Sequence, residues 1–134
     1  MLVKRTHHAS LSVVDLERSR VFYEGVLGLP AIERPDFGVP GAWYQAGDIQ
    51  LHLIQVPEGV DVGSPPPGTN PLAHHVAFEI DDYEATLRVL RTKGVEAVET
   101  GARVGQIFVS DPDGNVIELI RPGGQLGWRS SDTR

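Results

Sequence analysis

Three histidines and one glutamate stand at closely similar spacings in the two halves of the sequence, and their side chains can bind a metal ion. His8 precedes His52 by 44 residues, and His75 precedes Glu118 by 43 residues. Imidazoles and a carboxylate together suit a divalent cation such as Zn²⁺, Ni²⁺, Fe²⁺, Mn²⁺ or Co²⁺. A single histidine on a strand is more often packed or solvated than a ligand, so this prediction depends on all four positions together. The chain contains no cysteine, which excludes a thiolate ligand or nucleophile.

An internal repeat relates these four positions. The segment that begins at His8 aligns with the one that begins at His75 at an offset of 67, and a gap of one residue brings His52 onto Glu118. The other matched pairs are Leu11 with Phe78, Val13 with Ile80, Asp15 with Asp82, and Glu17 with Glu84. We therefore predict two copies of one structural module.

Each module is predicted to contain a strand, a helix and three further strands. Apolar and polar residues alternate over 7–14 and 75–80, as they do in a half-buried strand. After each of these strands, an aspartate suited to N-capping precedes a segment of helical periodicity. The apolar stripes of the helices are Leu16, Phe22, Tyr23, Val26 and Leu27 in the first, and Tyr83, Leu87 and Leu90 in the second. The further strands are predicted at 31–34, 41–46 and 49–56, and at 96–99, 106–110 and 115–121.

The modules account for most of the 134 residues, which we interpret as a single domain. Module 1 covers about 6–56 and module 2 about 72–122. Residues 57–71 carry five prolines and three glycines, which is typical of a linker or a long surface loop. Residues 123–134 form a polar tail, in which Trp128 suggests docking on a neighbouring surface.

The composition excludes several classes of function. A formal net charge of −6 argues against binding to nucleic acid phosphates or to anionic lipid. The N-terminal residues lack the apolar core of a signal peptide, and no apolar run approaches the ~20 residues of a membrane-spanning helix. We therefore expect a cytoplasmic protein that acts on a small molecule.

Three stretches of the sequence resemble the vicinal oxygen chelate superfamily, which includes glyoxalase I, the bleomycin resistance proteins and dioxygenases. The opening stretch runs from His8 through Asp15-Leu16 to Leu27-Gly28-Leu29, the second runs from His75 to Phe78, and the closing stretch runs from Asp111 to Leu119. This resemblance implies an α+β fold of two pseudo-symmetric βαβββ modules, whose curled mixed sheets enclose a cleft for one divalent metal ion. It also implies that the metal ligands are His8, His52, His75 and Glu118.

The resemblance implies several possible activities. A glyoxalase I-like lyase or isomerase, or an epimerase, moves a proton next to a carbonyl, and Glu118 is then the only ligand carboxylate that can act as the base. His52 departs from the glutamate that glyoxalase I usually has there. An extradiol dioxygenase would use Fe²⁺ bound by His8, His75 and Glu118. A drug-sequestering resistance protein would bind its ligand without catalysing a reaction.

Other residues are secondary candidates. Gln50 shares a strand face with His52 and is the alternative ligand. Either Trp43 or Tyr44 lines the cleft, unless both belong to the core. Arg103 and Gln106 come just before or at the start of the second-to-last strand of module 2, where Arg103 can bind a substrate carboxylate, although an arginine there is more often solvated. Alternation turns His7 and His74 away from the site, and we interpret both as structural or exposed.

We also expect a homodimer, because each small module has an open sheet edge that a second copy can cover. The long linker allows two arrangements. Either both modules of one chain form a site, or module 1 of one subunit combines with module 2 of its partner. In the second arrangement each metal site is shared between subunits.

Overall fold

The computed structural model describes residues 1–123 and divides into two compact units, Met1–Ser64 and a second that begins at Pro65. The division falls inside the segment 57–71 that the sequence marks as a linker. The greater part of the predicted tail, with Trp128, lies outside the described residues. No helix among residues 1–123 is long and apolar enough to cross a bilayer.

The first unit is a βαβββ module, as predicted. Its strands are β1 (His8–Val13), β2 (Ala31–Ile32), β3 (Gly41–Ala46) and β4 (Ile49–Gln55). They form an open sheet in the order β1-β4-β3-β2, in which β1 runs parallel to β4 and the other pairs are antiparallel. Strand β2 is two residues shorter than the pattern at 31–34 predicts.

The helical segment of the first unit changes type along its length. The α-helix α1 (Leu16–Arg20) begins at Asp15, whose carboxylate accepts a hydrogen bond from the backbone N–H of Arg18. It continues as a π-helix over Val21–Val26, and the backbone N–H of Leu27 accordingly donates to the carbonyl of Phe22, five residues back. The sequence predicts a helix here, but α-helical periodicity alone does not reveal this wider turn.

The second unit repeats the same plan. Its strands are β5 (His75–Glu79), β6 (Val98–Glu99), β7 (Gln106–Ser110) and β8 (Val116–Ile120), in the order β5-β8-β7-β6 with β5 parallel to β8. Helix α2 (Tyr83–Thr92) is capped by Asp82. The three predicted apolar residues of α2 are its buried ones, Tyr83, Leu87 and Leu90. The repeat in the sequence is therefore a repeat in the structure.

Each sheet has a core face and a polar face, as the inner strands β4 and β8 show. On β4, Leu51 and Leu53 are almost fully buried, and on β8 the same holds for Ile117 and Leu119. Because successive side chains of a strand alternate between faces, the residues between them point away from these apolar side chains. His52 lies between the leucines of β4, and a glutamate takes the equivalent place on β8.

Candidate functional site

The four predicted metal ligands occupy equivalent positions in the two sheets. The Cα partner of His8 on β4 stands two residues before His52, and the Cα partner of His75 on β8 stands two residues before Glu118. Residues two apart on a strand share a face. Each sheet therefore presents two candidate metal ligands on one face, one from the first of its strands in chain order and one from the last. The two strands are neighbours in the sheet, and the two residues lie diagonally opposite each other.

In the first unit, His8 and His52 lie side by side. Their rings are stacked with centroids 4.1 Å apart and planes at 16°. Nδ1 of His8 lies 2.8 Å from Nδ1 of His7, so His8 engages its neighbour through one nitrogen and retains Nε2 for a ligand. His7 is exposed, but its ring contacts His8, in contrast to the prediction that alternation turns it away. This occurs because residue 7 precedes the first residue of β1.

His52 is 8% exposed, and its surroundings favour the neutral imidazole. Burial lowers the pKa of His52 below its usual 6.5, and the nearby His8, His7 and Arg34 lower it further. A neutral imidazole has the lone pair that a metal ion requires. Nε2 of His52 donates to Oε1 of Gln50 at 2.9 Å. Metal binding at His52 therefore uses Nδ1 or requires the amide of Gln50 to turn.

In the second unit, His75 faces the carboxylate of Glu118. The Nε2 atom of His75 is 3.1 Å from Oε1 of Glu118, and its Nδ1 atom is 2.7 Å from the carbonyl oxygen of Ala73. A carbonyl oxygen only accepts hydrogen bonds, so Nδ1 carries a proton. In the neutral ring, Nε2 then presents its lone pair to a carboxylate oxygen.

This arrangement fits a metal ligand. Two acceptors 3.1 Å apart repel each other unless the imidazole is protonated or a cation lies between them. Metal-binding histidines commonly donate their second nitrogen to a backbone carbonyl, which orients the ring and leaves the other nitrogen for the ion. The pair of His75 and Glu118 has both the donor types and the tautomer that a divalent cation requires.

Gln106 holds the other oxygen of the carboxylate. Its Nε2 atom donates to Oε2 of Glu118 at 3.2 Å, and Glu118 is only 5% exposed. The two residues come from neighbouring strands, because Gln106 lies on β7 and Glu118 on β8. The sequence marked Gln106 only as a residue near Arg103, and no local pattern connects it to the carboxylate.

Aromatic residues flank both donor pairs at equivalent positions. Trp43 is the Cα partner of His52, and Phe108 is the Cα partner of Glu118. The Trp43 ring stacks on His52 at 4.3 Å between centroids, whereas Phe108 meets His75 edge to face at 5.6 Å. Of the two aromatic candidates on β3, Trp43 therefore belongs to the polar face.

Tyr44, the other candidate, is a core residue. It is fully buried, and its hydroxyl donates to Oε2 of Glu24 at 2.7 Å. The same carboxylate oxygen accepts from Nε of Arg20 at 2.9 Å. Burial raises the pKa of the Tyr44 hydroxyl, with a further contribution from the hydrogen bond to Glu24.

The four candidate metal ligands are present as two pairs, one in each unit. Within residues 1–123, no group of three or more His, Asp or Glu side chains has the arrangement to hold a metal ion. Arg103, the predicted carboxylate anchor, is exposed, and its carbonyl oxygen accepts from Nε of Arg121. The four-ligand set of His8, His52, His75 and Glu118 accordingly remains a prediction.

Comparison with known proteins places the chain in a family. Residues 5–119 match the model of the Glyoxalase/Bleomycin resistance protein/Dioxygenase superfamily. The chain belongs to this superfamily. It is 34% identical over 131 residues to lactoylglutathione lyase from Neisseria meningitidis, covering 87% of this chain and 90% of that protein. It is 31% identical over 130 residues to mitochondrial methylmalonyl-CoA epimerase from Bos taurus, covering 86% of this chain and 73% of that protein.

Solved structures of other proteins share this fold. A glyoxalase/dioxygenase from Nostoc punctiforme has a TM-score of 0.72 and 28% identity, covering 88% of this chain and 90% of that chain. An antibiotic binding protein from Streptomyces sp. CB03234 has a TM-score of 0.69 and 26% identity, covering 91% and 98%. This architecture therefore occurs both in a glyoxalase/dioxygenase and in an antibiotic binding protein.

Proposed function

We propose that this protein is a divalent-metal-dependent lyase or isomerase of the glyoxalase I type, which moves a proton next to a carbonyl group of a small oxygenated substrate. His8, His52, His75 and Glu118 would hold the metal ion. The observation that carries the proposal is the repeated diagonal placement of two donors on each sheet. Packing alone gives no reason for the second sheet to repeat the polar pair of the first.

The bound ion would act as a Lewis acid that stabilises negative charge on the substrate oxygens. The protein side chains would place the base. Gln106 holds Oε2 of Glu118, and the other oxygen, Oε1, faces His75. Because the carboxylate is buried, little water competes with the substrate for it. Glu118 would remove the proton from the carbon next to the carbonyl and return it at the adjacent carbon.

The residue at position 52 favours isomerisation over epimerisation. With an imidazole there, Glu118 is the only carboxylate among the four proposed ligands. A single base removes and returns the proton on one face of the substrate, which suits transfer between adjacent carbons. Inversion of a carbon centre requires proton donation on the opposite face, for which the four proposed ligands supply no second carboxylate.

Proton transfer in D₂O tests this proposal directly. The metal-loaded protein would be incubated with 2-oxoaldehyde–thiol adducts, acyl-thioester epimers and catechols, and the products would be followed by NMR. A single base predicts that some product keeps the substrate hydrogen at the adjacent carbon. Complete deuterium incorporation with inversion would favour the epimerase, and oxygen-dependent ring cleavage of a catechol would favour the Fe²⁺ dioxygenase.

Glu118→Gln is the decisive variant. An amide can still donate an oxygen to the metal but cannot accept a proton, so metal binding should persist while turnover falls at least about 100-fold. Glu79→Gln is the matched control, because Glu79 is exposed at the end of β5 and the change in charge is the same. Full turnover in Glu118→Gln would exclude Glu118 as the base.

A sequestering role is the second candidate. The fold similarity to an antibiotic binding protein and the partly exposed Trp43 ring both suit the stacking of a flat ligand. Stoichiometric metal in the purified protein, with turnover of any substrate class above, would exclude pure sequestration. Absence of metal after growth in metal-supplemented medium would favour it.

A homodimer is part of the proposal. In each sheet of the described residues, the first strand and the shortest strand are the two edges, β1 and β2 in one and β5 and β6 in the other. Such edges are surfaces that a second copy can cover. Light scattering at several protein concentrations would measure the oligomeric state.

A further inference from the structure

Arg34 is a cation without an anionic partner on the polar face of the first unit. Within residues 1–123 its Nε atom is buried without any hydrogen-bond acceptor. Burying a donor without an acceptor lowers the stability of a protein, so such groups are rare in structures. Arg34 as a whole is only partly buried, so a ligand from solvent would have to bind the terminal Nη atoms rather than the buried Nε.

Neighbouring carboxylates do not neutralise Arg34. Asp36 lies two residues away, but its Oδ1 atom accepts from the backbone N–H of Gly38 at 2.8 Å. The adjacent Glu33 is exposed and makes no ion pair with the guanidinium. In a chain with 18 carboxylates and 12 Lys and Arg residues, this unpaired cation is not explained by a shortage of acidic groups.

The surroundings hold the guanidinium in place. Its Cζ atom lies 5.1 Å from the centre of the Phe37 ring, a cation–π contact. It also lies against the backbone of Gly41, where a Cβ atom would come within 2.7 Å of Nε and Cζ of Arg34. Gly41 is two residues before Trp43 on β3, so both lie on the same face of the sheet.

A continuous row of rings connects Arg34 to the proposed metal ligands. The Phe37 and Trp43 rings are 6.0 Å apart, Trp43 stacks on His52 at 4.3 Å, and His52 stacks on His8 at 4.1 Å. Flat rings with a cation at one end and candidate metal-binding nitrogens at the other can hold a molecule that has an anionic group at one end and a metal-binding group at the other. Its planar or apolar part would lie along the rings.

From this arrangement we propose that Arg34 is a specificity-determining residue that binds a carboxylate on the substrate, which is therefore an acidic molecule with a flat or apolar body. Arginine suits this role because its planar fork can bind a carboxylate through two parallel hydrogen bonds. The inference rests on the proposed function, since it places the reacting end of the substrate at His8 and His52.

Matched charged and neutral probes test the inference. Benzoate and benzamide have the same ring and similar size, but only benzoate has a negative charge. Their binding would be followed by tryptophan fluorescence in a Trp128→Phe background, which leaves Trp43 as the single tryptophan of the chain. Titrations would be made with the metal-loaded protein and again in the presence of a chelator.

We expect benzoate to bind at least about tenfold more tightly than benzamide, as a charge-assisted hydrogen bond allows. Arg34→Gln should abolish this preference with or without the chelator. Arg34→Lys, which keeps the charge but loses the fork, should retain part of it. Arg88→Gln, which removes the same charge from an exposed position on α2, should leave it unchanged. Thermal melting of each variant would confirm folding.

Each contrary result has a distinct meaning. Equal affinity for the two probes, or absence of benzoate binding, would overturn the inference. A preference that survives Arg34→Gln but disappears with the chelator would show that the carboxylate binds the metal ion, so Arg34 would be excluded while the proposed function would stand. A preference that requires Arg34 in a protein that binds no metal would support this inference and contradict the metal-dependent function.

Discussion

Substitution of His75 by alanine should separate the metal-linked stability of the protein from its intrinsic stability. A divalent ion that binds only the folded state adds about 2.7 kcal/mol when its free concentration is 100-fold above its Kd. For a chain of 134 residues, the entropy of unfolding near the melting temperature is about 0.28 kcal/mol/K. The ion should therefore raise the Tm of the wild-type protein by about 10 °C.

In the metal-free protein, His75→Ala should lower the Tm by much less than the metal ion raises it in the wild type. Because Nδ1 of His75 carries the proton that it donates to the carbonyl of Ala73, Nε2 of the neutral ring has no proton to donate to Glu118. The variant then loses mainly the hydrogen bond from Nδ1 to the carbonyl of Ala73, which contributes about 0.5–1.5 kcal/mol. With the same entropy of unfolding, His75→Ala should lower the metal-free Tm by about 2–5 °C.

Differential scanning calorimetry with chelator-buffered Zn²⁺ or Ni²⁺ measures both quantities. His75→Ala should lose most of the rise in Tm at the free metal concentration that saturates the wild type. His74→Ala, at the neighbouring exposed histidine, should keep it. The reasoning would be refuted if His75→Ala kept the full metal-linked rise, or if its metal-free Tm fell by as much as the metal contributes.

Three further results are expected. Tyr44→Phe should lower the free energy of unfolding by about 1–2 kcal/mol in urea titrations, because the buried hydroxyl donates to the carboxylate of Glu24; an unchanged midpoint would contradict this. The metal-free protein should lose stability as the pH falls from about 7.5 to 5.5, because the unfolded chain binds a proton at His52 near pH 6.5 whereas the folded chain resists it. His52→Gln should remove that part of the pH dependence, and an identical slope in the variant would exclude His52 as its source. If metal sites are shared between subunits, mixing inactive His8→Ala and Glu118→Gln proteins should restore activity after subunit exchange, whereas no recovery would indicate sites within one chain.

The sequence alone determined the module plan and the pairing of candidate donors. Period-2 alternation and two N-capping aspartates are local signals, and they predicted β1, β5 and α2. Six of the eight predicted strand ranges agree with the structure to within one residue at each end, whereas β2 and β6 are each two residues shorter. The repeat then supplied long-range information that a single module lacks. In each sheet the Cα partner of the first-strand histidine stands two residues before the second candidate ligand, so closely similar sequence spacings became equivalent placements for His8 with His52 and for His75 with Glu118.

Only the tertiary structure decided how the side chains are oriented. The tautomer of His75 depends on the carbonyl of Ala73, and the setting of Glu118 depends on Gln106 from the neighbouring strand. Arg34 belongs to the predicted strand 31–34 but lies beyond the end of β2, and nothing in its local sequence predicts its place over Phe37. Sequence patterns record which face of an element a residue occupies. Hydrogen bonds and ring contacts between elements depend on strand register and on side-chain rotamers, which only the folded chain defines.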